Sequence, residues 1–133
     1  METTFHLHGI ELLSFSLAPE PSGNGETQAG YAFNVQQEQK MNPDKQLVIV
    51  FTTVTVQQSG SSIPLASAVV ACGFGVASFA GTLTRQANGE YQIASGIGQA
   101  VSRAATGITR GILYSQLRGS YLQDYVLPLL PGE

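Results

Sequence analysis

Hydrophobic and polar residues alternate through most of the first half of the chain, and a helical period replaces the alternation in the last quarter. Residues 3–17, TTFHLHGIELLSFSL, carry a β-favouring mix, with Phe5 and Leu7 on one side of an extended chain and His6 and His8 on the other. Leu13, Phe15 and Leu17 repeat the alternation. Residues 18–30 are a loop by their Pro, Gly and Asn content. From 31 to 39 the chain sets Tyr31, Phe33 and Val35 against Asn34, Gln36 and Glu38, which predicts a half-buried strand. Met41-Asn42-Pro43-Asp44 reads as a turn. Residues 46–58, QLVIVFTTVTVQQ, are β-branched nearly throughout, which predicts a central strand covered on both faces. Residues 59–62 turn the chain again, a further apolar run covers 65–81, and Asn88-Gly89 marks a turn before the helix.

The helical stretch begins at Ser95, a suitable N-cap, and ends at Arg118-Gly119, a cation near the carbonyl pole followed by a residue that takes positive φ at little cost. Ile97, Val101, Ala104, Ala105, Ile108 and Ile112 fall on one stripe at a period of 3.6. Gly98, Gly107 and Gly111 each cost a helix interior about 1 kcal/mol relative to alanine, so packing must hold this helix. Ala100, Ala104, Gly107 and Gly111 form a second stripe of small residues where another backbone can approach, the expected oligomer interface. The expected fold is α+β: a four-stranded antiparallel meander with one long C-terminal helix on one face, as a single domain over residues 1–133.

Composition narrows the function. Only 11% of the 133 residues are charged, a surface poorly protected against self-association, which favours a homo-oligomer or a protein partner. A net charge of −3 without a basic cluster argues against nucleic acid. One cysteine permits no internal disulfide, and the first residues lack the basic and small-residue pattern of a signal peptide, so the expected compartment is the cytoplasm. Residues 63–83 hold no charge, and their length admits a transmembrane reading. Their Ala, Gly and Ser content and the absence of close flanking cations favour a core strand instead, with Val70, Cys72, Phe74 and Val76 opposite a small-residue face.

Catalytic chemistry finds little support. His6 and His8 share a strand face, a geometry zinc sites use, but Glu11 has the opposite parity and no third histidine exists, so two edge-strand histidines are the simpler reading. Cys72 has no neighbouring cation to activate it. Gly96-Ile97-Gly98 lacks the third glycine of a dinucleotide site and the GK[ST] of a phosphate loop. Arg103 and Arg110, seven apart on one side of the helix, suit carbonyl capping or a subunit interface. No enzyme activity and no cofactor are expected. The large apolar residues Leu13, Phe15, Leu17, Tyr121, Leu122, Tyr125 and Leu127 are either core or a groove for extended polypeptide.

Five blocks in order carry a resemblance: FHLHGIELLSFSLAP, YAFNVQQEQ, QLVIVFTTVTVQQ, LASAVVACGFGVASFAG and SRAATGITRGILYSQLRGSYLQDYVLPLLP. Together they resemble the SecB family of protein-export chaperones. The last block is the most specific, with Arg118-Gly119 ending the helix ahead of Tyr121 and Leu127-Pro128. The resemblance implies a dimer of dimers with helices at the subunit interfaces, and ATP-independent holding of unfolded clients along hydrophobic grooves. Two departures bear on export. The chain stops at Pro131-Gly132-Glu133, where the family's export chaperones continue into a second helix and a motor-docking tail. Near the first strand it has Leu12, Leu13 and Ser16 where the family presents acidic residues to the motor. The expectation is therefore a chaperone of unfolded polypeptides, with handover to the translocation ATPase in doubt. A chaperone dedicated to one partner such as an antitoxin, or an assembly protein using the fold only to oligomerise, are the alternatives.

Overall fold

The structure, a computed structural model, describes residues 5–20, 30–76, 83–85, 91–93 and 95–129. Four long strands form one antiparallel sheet: β1 (Phe5–Leu17), β2 (Tyr31–Asn42), β3 (Leu47–Gln58) and β4 (Pro64–Val76). Two short strands, β5 (Leu83–Arg85) and β6 (Tyr91–Ile93), pair with each other, and helix α1 (Ser95–Leu117) follows. The β5–β6 pair was not anticipated, because three-residue arms carry no readable alternation. The Asn88-Gly89 turn and residues 77–81 of the expected apolar run lie outside the described residues.

Strand order is β1-β4-β3-β2. The expected meander holds for β2, β3 and β4, but β1 pairs with β4 on the far side, a Greek-key arrangement. The β2–β3 turn falls at 43–46, two residues later than the Pro and Asn content implied. Asn42 Oδ1 accepts from the Lys45 N–H at 3.3 Å, and Gln46 takes φ 56° to re-enter the sheet.

β3 is central, as expected, but only one of its faces is fully covered. Val48, Val50, Thr52, Val54 and Val56 are buried beneath α1, while Ile49 and Phe51 on the other face are half-buried. There Lys40 lies over the Phe51 ring with Nζ 5.6 Å from its centroid. Residues 64–76 are a sheet strand, with Val70, Cys72 and Phe74 inward and Ala71 and Gly73 outward. Among the described residues no helix is long and apolar enough to cross a membrane.

The core has two parts. Under the first half of α1, Val101 and Ala105 meet Val48, Val50, Val70, Cys72, Phe74 and Val76, with Ile97, Ala104, Ile108 and Ile112 at the margin. Under its second half, Leu113 and Leu117 join Val54, Val56, Leu65, Ala66 and Ala68. Between them the helix rests on hydroxyls. Thr52, Thr106 and Thr109 are buried, and the Thr109 hydroxyl donates to Ala105 O at 2.7 Å. The β2 edge is fastened to α1 by amides. Gln37 Nε2 lies 2.8 Å from Thr106 Oγ1, 3.1 Å from Thr52 Oγ1 and 3.1 Å from Ser102 O, while Gln39 Nε2 donates to Gly98 O and Ser102 Oγ. The helix ends as expected, with Gly119 at φ 83° and Ser120 N bonded to Leu117 O.

Candidate functional site

β1 is an edge strand, and among the described residues its outer backbone has no strand partner. It is also apolar at the surface: Leu7, Ile10, Leu13 and Leu17 are 46%, 47%, 45% and 37% exposed. Two register shifts, between Leu7 and Gly9 and between Leu12 and Ser14, place His8 and Leu13 at bulges. Each bulge resets the alternation. His6 opposes Gly75 and Glu11 opposes Ala71, so Glu11 shares the helix-free face with His6, against the parity read from the sequence. The His6 ring occupies the space a Gly75 side chain would take. Among the described residues no group of three His, Cys, Asp or Glu is placed to hold a metal ion.

After α1 the chain crosses one end of the sheet. Tyr121 donates its hydroxyl to Ala18 O at 2.9 Å, and burial, then the nearby Tyr31 and Glu20, push its pKa above the usual tyrosine value. Tyr125 packs edge-on against Tyr31 at the start of β2, with centroids 4.4 Å apart and planes at 68°. Arg110 reaches back from the helix, donating from Nε to Leu127 O at 2.8 Å and from Nη2 to Pro128 O at 3.0 Å. It does bond carbonyls, but those of the segment after the helix rather than of the helix end.

The seven residues read as a groove therefore separate. Leu122 and Leu127, 0% and 2% exposed, are interior anchors within the second core cluster, so in this conformation they offer no binding surface. Apolar composition alone, without a period, could not assign them. Phe15 and Tyr121 are half-buried against the same cluster, joined by Tyr31 and Phe33, which sequence reasoning placed only in a strand. Leu13, Leu17 and Tyr125 are exposed, as are Val126 (48%) and Leu129 (76%) beside them in sequence. On α1, Ala100 and Ala104 are half-buried, whereas Gly107 and Gly111 are exposed on the face turned away from the sheet. A Cβ at Gly111 would meet nothing within 4 Å.

Cys72 is fully buried, and burial raises its thiol pKa above the ordinary value, the reverse of what a nucleophile requires.

No protein-family profile matches the sequence, and no curated protein matches it. Among solved structures, the chain is similar to the SecB-like chaperone Rv1957 of Mycobacterium tuberculosis, solved in complex with a ChAD peptide from the HigA1 antitoxin Rv1956. The superposition has a TM-score of 0.56 at 14% sequence identity, and covers 95% of this chain and 90% of that one. A four-stranded antiparallel sheet carrying one long helix after it, in this order and over this coverage, is the SecB-like fold.

Proposed function

We propose that this chain is an ATP-independent holdase that binds unfolded or extended polypeptide through its apolar surface. The observation that carries the reading is the row of exposed apolar side chains on the unpaired β1 edge, Leu7, Ile10, Leu13 and Leu17, on a SecB-like fold. Monomeric proteins avoid a long apolar edge because it templates strand pairing. A holdase uses such a surface, since edge hydrogen bonds are indifferent to sequence and shallow apolar contacts accept many side chains. Tyr125, Val126 and Leu129 extend the exposed apolar surface at the end of the sheet. No catalytic step, nucleotide or cofactor enters this reading.

The working form is a homo-oligomer, dimer or tetramer. The small-residue stripe of α1, with Gly107 and Gly111 exposed and Ala100 and Ala104 half-buried beside them, supplies a helix contact, and the β1 edge supplies a strand contact. Action in the cytoplasm follows from the single thiol and the chaperone reading. The client is either broad or a single dedicated partner. The Rv1957 structure contains an antitoxin peptide, which favours weighing the dedicated case beside general export.

The experiment is suppression of aggregation of an unfolding test protein at stoichiometric chaperone, without nucleotide. A second reading, an assembly protein that uses the fold only to oligomerise, is favoured by the exposed Gly107 and Gly111. It prevails if aggregation is unchanged while the protein forms a stable oligomer.

A further inference from the structure

We propose that Arg110 and the interior position taken by Leu127 form a binding site for an extended polypeptide segment, which the chain's own residues 125–129 fill in this structure. Three observations on that segment carry the assignment. First, residues 125–129 have no regular secondary structure, and among the described residues the last main-chain to main-chain hydrogen bond runs from Tyr125 N to Leu122 O. Second, Arg110 donates to two successive main-chain carbonyls, Leu127 O and Pro128 O, at 2.8 and 3.0 Å. A guanidinium fork used this way reads backbone and not side chains. Third, a single residue points inward. Leu127 is 2% exposed within the second core cluster, while Val126 and Leu129 are 48% and 76% exposed. A backbone clamp with one inward knob is how proteins hold extended peptide of varied sequence.

The ligand class follows from the same contacts. The clamp asks only for carbonyl oxygens, so a proline after the knob is accepted, as Pro128 is here. The knob must be a large aliphatic residue. Among the described residues, the segment's holds on the body include Leu127, the Arg110 clamp, the Tyr125–Tyr31 ring contact and the Tyr125 N–H bond to Leu122 O. Leu122 differs: it is fully buried, and its N–H donates to Ser120 Oγ, a bond that does not involve residues 125–129. The chain therefore opens between Tyr125 and Leu129, with Leu122 staying in place. An incoming segment with a leucine knob displaces residues 125–129 and takes their place, so the site is closed until a competitor arrives. That a client is the competitor rests on the holdase reading. The site itself is testable without it.

The test uses the full chain and a fluorescein-labelled peptide of residues 121–129, YLQDYVLPL. Leu127→Ser should bind this peptide about 10- to 100-fold more tightly than the wild type, the factor expected when a buried leucine no longer competes for its own position. Adding Arg110→Gln should reverse most of the gain. A folded Leu127→Ser chain that binds no more tightly than wild type overturns the proposal. Hydrogen exchange on the wild-type chain gives a reading that does not depend on the variant folding. Saturating peptide should speed exchange at residues 125–129, and unchanged exchange there overturns the proposal. Aggregation suppression by the same proteins separates the two claims. Peptide binding without suppression sinks the holdase and leaves the site, while suppression without the Leu127→Ser gain sinks the site and leaves the holdase.

Discussion

Gly107→Leu is the perturbation that most sharply separates the fold of this chain from its assembly. Gly107 and Gly111 lie on the exposed face of α1, and neither has positive φ; among the described glycines only Gly60 and Gly119 do. A Cβ at Gly107 would meet nothing closer than Arg110 Nη1 at 4.0 Å, and one at Gly111 would meet nothing within 4 Å. Within one chain a side chain at either site is therefore sterically free. Replacing an interior helical glycine by alanine gains about 1 kcal/mol of helix propensity. The double variant Gly107→Ala/Gly111→Ala should accordingly stabilise the isolated fold by about 2 kcal/mol, raising Tm by roughly 5–10 °C in a domain of this size. Assembly responds with the opposite sign. If another backbone packs on the small stripe, a leucine at 107 holds it off, and the oligomer falls apart while each chain stays folded. Sedimentation velocity gives the mass, and thermal unfolding monitored by circular dichroism gives the stability. Wild-type oligomer mass in Gly107→Leu would refute the reasoning, because the stripe would then face solvent.

Three further outcomes follow from the packing. Gln37→Leu removes the amide that joins β2 to Thr52, Ser102 and Thr106, two of which are buried, and should cost about 1–3 kcal/mol in denaturant unfolding, whereas Gln36→Leu on the other face should cost little. Leu122→Ala empties a fully buried site in the second core cluster and should cost about 2–5 kcal/mol by the same measurement. Cys72 should resist maleimide labelling in the native protein and react on unfolding; because burial raises the folded thiol's pKa, its native labelling should stay low as pH rises through the ordinary thiol range, where an exposed thiol would turn reactive.

The sheet was legible because period-2 alternation is local: Tyr31, Phe33, Val35 and the β3 valines announce their faces in the sequence itself. The helix was legible for the same reason, and its end was marked by Gly119. Pairing is not local. Nothing in residues 5–17 says whether β1 lies beside β2 or across the sheet beside β4, and the chain took the second course. The bulges at His8 and Leu13 are equally silent, since either residue could continue the alternation, and the one at His8 carries Glu11 to the face opposite its sequence parity. Gln37 and Gln39 keep the parity of Tyr31, Phe33 and Val35, and they bind the helix because they remain on the covered face after the apolar residues stop. In the segment after α1 no period separates inward from outward positions. Leu122 and Leu127 could be read as apolar, but only the structure separates anchors from the exposed Tyr125, Val126 and Leu129.

The most direct measurement of the central claim is light scattering from an unfolding test protein titrated with this chain in nucleotide-free buffer. Full suppression near one client per oligomer is the predicted result, weakened when Leu7, Ile10, Leu13 and Leu17 on β1 are replaced together by serine. Unchanged scattering at severalfold excess of the folded, assembled protein would contradict the account.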